Sequence, residues 1–366
     1  MAPRENLVGD DGSRVGKKPT KVLKGMPEYF EIREETEQLE TDKCPQYLMM
    51  NLETSCPFSC KKCAQPGRNR EMGQTLSLDE RKNILKIAAD IGVRELVIIG
   101  AGEPTSPKNF KDVVSPVIES TYKEGMGTIL FTTAFGINKE QAEFFRDHDV
   151  TVLVSLDSLN PNTYRELTWI GKLTRILENI QILRDTYKNT QEILRDGRKL
   201  VRLAINVTIQ KGNVDELDTV RNFAGDDMQF IANVPMPEGK LRIYRNWSEL
   251  VGDGNLEIFS RLAAEKSDTG SHSSVAEGTC SYFKRGISID SDGQFLTCGY
   301  ASDSAHYLGN VREGLTRQKL LEHYKEMRKK YEEWCQKIRR RPSCPLRDGE
   351  YENFIRSLET GIETKE

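Results

Sequence analysis

Three cysteines lie close together in the segment Cys56-Pro-Phe-Ser-Cys60-Lys-Lys-Cys63. Three thiolates at this spacing can each bind one iron of a [4Fe–4S] cube and leave the fourth iron open to a substrate or cofactor. The spacing also leaves simpler interpretations open. Cys60 and Cys63 alone would suit a redox dithiol or half of a zinc site, and the three could be unrelated buried thiols.

The cysteines follow an apolar run, residues 47–52, that predicts a buried strand. Apolar strand candidates then alternate with helix candidates, which favours a parallel sheet with helical crossovers. The strand candidates are 46–53, 95–101, 127–133, 151–157, 201–208 and 228–234, and the helix candidates are 79–92, 108–124, 139–148, 171–188, 214–225 and 255–267. We expect an α/β fold, a partial (β/α)6 barrel whose carboxyl-end loops carry the chemistry. A flat doubly wound sheet is the alternative.

The segments outside this repeat predict a smaller second unit. An Asp292-Gly293 turn between two alternating runs predicts a β-hairpin, and a charged amphipathic helix is expected at about 314–340. The predicted organisation is an N-terminal extension at 1–45, a barrel at 46–267, a small α+β module at 279–350 and a tail at 351–366. The first 26 residues are expected to be a mobile arm.

Composition excludes several classes of protein. The chain has 366 residues, 37% apolar and 30% charged, with a formal net charge of −3, so no global field favours nucleic acid or a membrane surface. No apolar stretch approaches the ~20 residues of a membrane span, and no signal peptide is apparent. Eight cysteines in a chain of this length do not indicate a secreted disulfide scaffold. We expect a cytoplasmic protein with a small-molecule substrate, no nucleic acid and no membrane.

Three motifs, each at the end of a predicted strand, resemble those of the radical S-adenosylmethionine (SAM) superfamily. They are the cysteine triplet, the segment Gly100-Ala101-Gly102-Glu103-Pro104, and the segment Val154-Ser155-Leu156-Asp157-Ser158. The resemblance implies a [4Fe–4S] cluster on Cys56, Cys60 and Cys63. It also implies reductive cleavage of SAM to a 5′-deoxyadenosyl radical that abstracts a hydrogen atom from the substrate.

The same resemblance implies where SAM binds. Backbone carbonyls near Gly102 and Glu103 would accept hydrogen bonds from its amino group. Ser155 and Asp157 would lie within reach of the ribose, and Asn206 is a further candidate. Ser155 and Asp157 could instead serve only the turn after their strand.

The chain departs from the superfamily pattern at three places. Lys62 stands where an aromatic residue usually precedes the third cysteine, and Ala101 replaces the first glycine of the Gly-Gly-Glu-Pro motif. The Thr-Asn-Gly that often ends strand three is replaced by Thr132-Thr133-Ala134-Phe135-Gly136.

Four more cysteines follow the predicted barrel. The spacing from Cys280 to Cys298, with Gly293 between them, resembles the C-terminal SPASM and twitch modules of the superfamily, and the spacing in the butirosin-pathway alcohol dehydrogenase. A full SPASM module has seven cysteines, so the resemblance implies a twitch with one auxiliary [4Fe–4S] cluster. Its ligands would be Cys280, Cys298, Cys335 and Cys344. A Zn(Cys)4 site, or three ligands and one free thiol, are the alternatives.

From this resemblance we expect an oxidoreductase that oxidises an alcohol carbon of a carbohydrate-like or aminocyclitol intermediate of antibiotic biosynthesis. A flavodoxin or ferredoxin-type protein is the expected electron donor. Redox-neutral epimerisation or decarboxylation of a sugar, and peptide maturation of the SPASM type, are alternatives, and a zinc-stabilised interaction protein is the non-enzymatic one. A molybdopterin-cofactor synthase is disfavoured, because the cysteine spacing differs and the sequence ends Gly-Ile-Glu-Thr-Lys-Glu rather than Gly-Gly.

Overall fold

The fold is taken from a computed structural model of the chain. It describes residues 20–32, 44–52, 55–64, 74–100, 102–236, 238–239, 247–252, 255–268, 285–301 and 307–337. In these parts of the chain, no helix has the length and apolar character needed to cross a membrane.

The predicted strands and helices of residues 47–266 are present, and a helix at Pro161–Thr168 and two short strands at Glu192–Ile193 and Lys199–Val201 occur in addition. The strands are β1 Lys21–Leu23, β2 Tyr47–Met50, β3 Glu95–Ile98, β4 Gly127–Thr132, β5 Val150–Ser155, β6 Glu192–Ile193, β7 Lys199–Val201, β8 Leu203–Thr208, β9 Gln229–Asn233, β10 Gly286–Ile289, β11 Gln294–Leu296 and β12 Tyr307–Asn310. The helices are α1 Pro27–Ile32, α2 Leu78–Asp90, α3 Pro107–Asn109, α4 Ser115–Lys123, α5 Lys139–Asp147, α6 Pro161–Thr168, α7 Leu173–Tyr187, α8 Leu217–Ala224, α9 Trp247–Val251, α10 Asn255–Lys266 and α11 Arg317–Lys337. A π-helical turn, Phe110–Val114, joins α3 to α4.

A parallel sheet positions the site. Its neighbouring strands β2, β3, β4, β5, β8 and β9 are all paired in parallel, in that order. This confirms the α/β fold and the six-stranded partial barrel. Because successive strands are neighbours and run in the same direction, all their carboxyl ends lie along one edge, where the loops that follow can share a site.

Side chains of the barrel strands alternate between two cores, as a period of two requires. The outer set packs under the helices. The inner set consists of Tyr47, Met49, Val97, Ile129, Leu153, Ala204 and Ile231, and it forms one buried cluster with Leu23, Met26 and Phe30 from β1 and α1. The N-terminal segment therefore contributes to the barrel interior, and the expected mobile arm is wrong for residues 21–26, because their apolar side chains have a core to enter.

Charged groups meet where this N-terminal segment reaches the amino ends of the strands. The side chain of Lys24 forms an ion pair with Asp149, and Arg202 lies 3.4 Å from the same carboxylate. Beside them, the carboxyl of Glu95 is buried against Gly25 and Gly127, where a β-carbon would crowd it. The pKa of Glu95 is raised to about 8, chiefly by burial and also by the Asp149 carboxylate, while Lys24 and Arg202 oppose the rise.

The predicted hairpin is present as β10 and β11, paired antiparallel across the turn at Asp292-Gly293. The sequence did not predict where it docks. Strand β10 pairs in parallel with β2, so the hairpin continues the barrel sheet beyond its first strand. The Asn51 amide joins the two by donating to Asp290 Oδ1 at 3.3 Å and to the Gly299 carbonyl at 3.1 Å.

Candidate functional site

The three-cysteine loop leaves the carboxyl end of β2 and is held by the end of α6. The amides of Ser59 and Lys61 donate to the carbonyls of Thr168 and Leu167, each at 3.3 Å. Carbonyls in the last turn of a helix have no partner within the helix, so they are available to the loop. Phe58 anchors the loop from within, packing edge-on against Phe135 with ring centroids 5.5 Å apart.

The thiols of this loop lie close enough to influence one another. The pKa of the Cys60 thiol is raised to about 12, chiefly by burial. The Lys62 ammonium opposes the rise, and Asp157, Cys63 and Cys56 add to it. Metals bind the thiolate form of cysteine, so a bound iron would stabilise the deprotonated form of Cys60 that burial disfavours.

The donor set of this loop fits an iron–sulfur cluster. All three residues are thiols rather than disulfides, and cysteine thiolates are the usual ligands of a [4Fe–4S] cube. Among the described residues, no three His, Cys, Asp or Glu side chains are arranged to hold a single metal ion. When bound there, the cluster would supply the electron that cleaves SAM.

The Glu103 side chain joins the loop after β3 to the end of β4. Its buried carboxylate accepts hydrogen bonds from the amide and hydroxyl of Thr105, at 3.0 and 2.6 Å, and from the amide and hydroxyl of Thr133, at 2.8 and 2.6 Å. The Thr132 hydroxyl donates to it as well. These donors saturate the carboxylate, so its role among the described residues is to shape the loop.

Asn109 ties the same loop to the cysteine segment. Its side-chain amide donates to the carbonyls of Ser55 and Glu103, each at 2.7 Å, while the Glu103 amide donates to Ser55 O at 3.1 Å. Gly102, with φ at 147°, makes the bend. The Glu103 carbonyl also accepts from the Ser106 amide at 3.3 Å, so both of its lone pairs have partners, and the SAM amino group would need another backbone carbonyl of this loop.

The other predicted SAM contacts lie at the carboxyl ends of β5 and β8. Ser155 and Asn206 are direct neighbours in the parallel pairing, and the Asn233 amide donates to Asn206 Oδ1. No described residue hydrogen-bonds to the Ser155 hydroxyl, which leaves it available to a ligand. Asp157, by contrast, is already engaged: it accepts from Lys62 Nζ at 2.6 Å and from the Thr208 amide at 2.9 Å.

The radical SAM superfamily matches residues 50–197, a span that includes the cysteine loop, the Glu103 loop and Asp157. Residues 50–197 belong to the radical SAM superfamily. The match and the geometry agree, since the three sequence motifs converge at one edge of one sheet.

Several relatives of the chain have the same name. The GTP 3′,8-cyclase of Alkaliphilus metalliredigens (strain QYMF) is 26% identical over 292 residues, which cover 73% of this chain and 85% of that protein. The crystal structure of Streptococcus suis SuiB bound to S-adenosylmethionine has a TM-score of 0.55 at 18% identity and covers 78% of this chain and 68% of SuiB. At that identity the likeness shows a common fold. BtrN in complex with AdoMet and 2-DOIA is much less similar, with a TM-score of 0.39 at 10% identity.

These findings correct the expected reaction. The expectation of an enzyme that oxidises a carbohydrate-like or aminocyclitol alcohol is wrong, because the curated relatives are named for cyclising GTP. The same finding removes the case for sugar epimerisation, sugar decarboxylation or peptide maturation. A radical SAM enzyme is confirmed, whereas its assignment as a dehydrogenase is not.

Sequence reasoning missed the residues that shape the site without a motif of their own. Ser55, Thr105, Asn109 and Thr208 fall into this group, and Thr132 and Thr133 were noted only as a departure. Ser55 and Thr105 lie within four residues of the end of a strand candidate, Thr208 ends one, and Asn109 is near the start of a helix candidate. Of the predicted auxiliary ligands, Cys298 and Cys335 are buried. Ala101, Cys280 and Cys344 lie outside the described residues.

Proposed function

We propose that this radical SAM enzyme acts on a purine nucleoside triphosphate and joins two carbons of it into a ring, as the name GTP 3′,8-cyclase says of its relatives. The observation that carries the proposal is the extent of the Alkaliphilus match, which covers 73% of this chain and 85% of the relative. That is well beyond the 148 residues of the superfamily match, 50–197. The similarity therefore includes parts of the chain outside the region common to radical SAM enzymes.

In this proposal the residues of the site divide the work of holding the reactants. Cys56, Cys60 and Cys63 hold the cluster. A backbone carbonyl near Gly102, in the loop that Asn109 fixes, accepts from the SAM amino group, and the Ser155 hydroxyl contacts its ribose. A barrel edge lined by such fixed polar groups positions the cofactor without rearranging during the reaction.

A second cluster is part of the proposal. Cys298 and Cys335 are buried thiols in the same hydrophobic core, and together with Cys280 and Cys344 they would supply four ligands to an auxiliary [4Fe–4S] cube. A flavodoxin or ferredoxin-type protein would deliver the electrons. A molybdopterin-cofactor synthase was disfavoured on the cysteine spacing and on the last residues of the chain, and residues 338–366 lie outside the described part of the chain.

Anaerobic turnover tests the substrate directly. Reconstituted protein is incubated with SAM, dithionite and either GTP, ATP or no nucleotide, and 5′-deoxyadenosine and nucleotide products are followed by mass spectrometry. We expect GTP to stimulate 5′-deoxyadenosine release at least tenfold. The product should have the mass of GTP but a different retention time. The 5′-deoxyadenosyl radical removes one hydrogen atom from GTP and leaves as 5′-deoxyadenosine. After ring closure, dithionite supplies one electron and water one proton, which restores the mass. SAM cleavage that is indifferent to every nucleotide would refute the substrate while leaving the SAM chemistry standing.

A further inference from the structure

Lys62 occupies the middle of the cysteine loop, two residues after Cys60 and one before Cys63. Its side chain does not extend into solvent. The ammonium donates to Asp157 Oδ1 at 2.6 Å and to Thr208 Oγ1 at 2.9 Å. The two partners come from different elements, since Asp157 follows β5 and Thr208 ends β8. A lysine normally keeps its strongly hydrated ammonium group in water. Burial of this charge beside a cluster loop therefore suggests that it has a function there.

The ion pair is well shielded, with exposed side-chain fractions of 14% for Lys62 and 3% for Asp157. Water and salt screen a buried ion pair less than an exposed one, so the charges of Lys62 and Asp157 act more strongly on nearby groups than surface charges would. The Thr208 amide donates to the same Asp157 oxygen at 2.9 Å, which fixes the orientation of the pair. A fixed positive charge and a fixed negative charge thus lie beside the cluster ligands.

An iron–sulfur cluster gains one negative charge when it is reduced, and nearby net charge is one of the factors that set its potential. We propose that Lys62 and Asp157 set the reduction potential of the cluster on Cys56, Cys60 and Cys63, with Lys62 raising it and Asp157 lowering it. Lys62 acts on the Cys60 thiol more strongly than Asp157 does, so its effect is expected to be the larger of the two. The inference needs the cluster but does not depend on the nucleotide substrate.

The two residues must act in opposite directions, which separates this role from a structural one. Lys62→Met removes the positive charge at nearly constant length, and Asp157→Asn removes the negative charge at constant shape. Lys62→Arg keeps the charge. Thr208→Val keeps both charges and removes one hydrogen bond, so it is the control for mere anchoring of the loop.

The test is a potentiometric titration of the anaerobic, reconstituted protein, followed by the electron paramagnetic resonance signal that SAM addition perturbs. We expect Lys62→Met to lower the equilibrium constant for reduction at least tenfold, which is 59 mV for a one-electron couple, and Asp157→Asn to raise it. Lys62→Arg and Thr208→Val should stay within threefold of the unaltered protein. Iron content is measured on every sample.

Two results would overturn the proposal. One is that Lys62→Met and Asp157→Asn both hold full iron and stay within threefold of the unaltered protein. The other is that they shift the potential in the same direction. If Lys62→Met does not retain the cluster, Asp157→Asn decides: a raised potential supports the role, and an unchanged potential refutes it.

Discussion

The buried carboxyl of Glu95 should make the stability of this protein depend on pH. Its pKa is about 8 in the folded state, against an ordinary value of 4.5. Between those pH values the folded protein holds a proton that the unfolded chain has released, so stability falls as the pH rises. The stabilising contribution is fully present below pH 4.5 and is lost as the pH passes through 8. At ~1.4 kcal/mol per pH unit, the loss from pH 5 to pH 8 is about 3–4 kcal/mol.

Glu95→Gln is the variant that tests this, because it keeps the shape of the side chain and cannot ionise. Urea unfolding of both proteins at pH 5 and pH 8, under anaerobic conditions, gives four free energies of unfolding. We expect the variant to gain about 3–4 kcal/mol relative to the unaltered protein between pH 5 and pH 8. Comparing the two proteins cancels the titration of all other groups.

Glu80→Gln supplies a matched control at an exposed site. Its hydrogen bonds with Arg312 and then the Ser77 amide lower the pKa of Glu80 to about 2, so its contribution is present above pH 4.5 and is lost only as the pH falls towards 2. Its variant should therefore parallel the unaltered protein from pH 5 to pH 8. If the free energy of unfolding of Glu95→Gln also changes in parallel with that of the unaltered protein from pH 5 to pH 8, Glu95 is ionised in the folded protein and its pKa is not raised.

Three further outcomes follow from the site. Replacing Cys280, Cys298, Cys335 and Cys344 together by Ser should remove about half of the bound iron and leave the SAM-perturbed signal; stoichiometric zinc in the unaltered protein would contradict the auxiliary cluster. Ser155→Ala should weaken SAM binding about fivefold, the loss of about 1 kcal/mol for one hydrogen bond, with iron content unchanged; equal affinity by calorimetry would mean that the ribose lies elsewhere. Gly136→Ala should destabilise the fold by about 1–3 kcal/mol in urea unfolding, because the new β-carbon would overlap the Thr105 carbonyl; a neutral result would show that the loop can shift.

The barrel was predictable because its signals are local. The six barrel strands from Tyr47–Met50 to Gln229–Asn233 are short, mostly apolar runs, and a helix follows each of them in the chain. Helix α2 is an example: Ser77 and Glu80 form a capping box, a signal confined to four residues, and both of its hydrogen bonds are present. The cluster-binding loop was also predictable, because the spacing of its three cysteines limits which metal centres it can bind.

The rest depends on partners that are distant in sequence. Lys21–Leu23 is short and lies among polar residues, so its sequence does not predict a strand. It forms one by pairing with Lys199–Val201. Lys62 was visible as a departure from the superfamily pattern, but its ion pair with Asp157 joins residues 95 positions apart. The interaction of Glu103 with Thr132 and Thr133 likewise requires β3 and β4 to be neighbours.

The pairing of β10 with β2 has a consequence for how the chain is made. At about 5–20 residues per second, roughly 10–50 s separate the synthesis of β2 from that of its partner. Throughout that interval the nascent barrel presents an unpaired edge next to the cysteine loop, and an open edge invites pairing with other chains. Cluster insertion into Cys56, Cys60 and Cys63 before β10 emerges would meet a loop whose sheet is still open on one side.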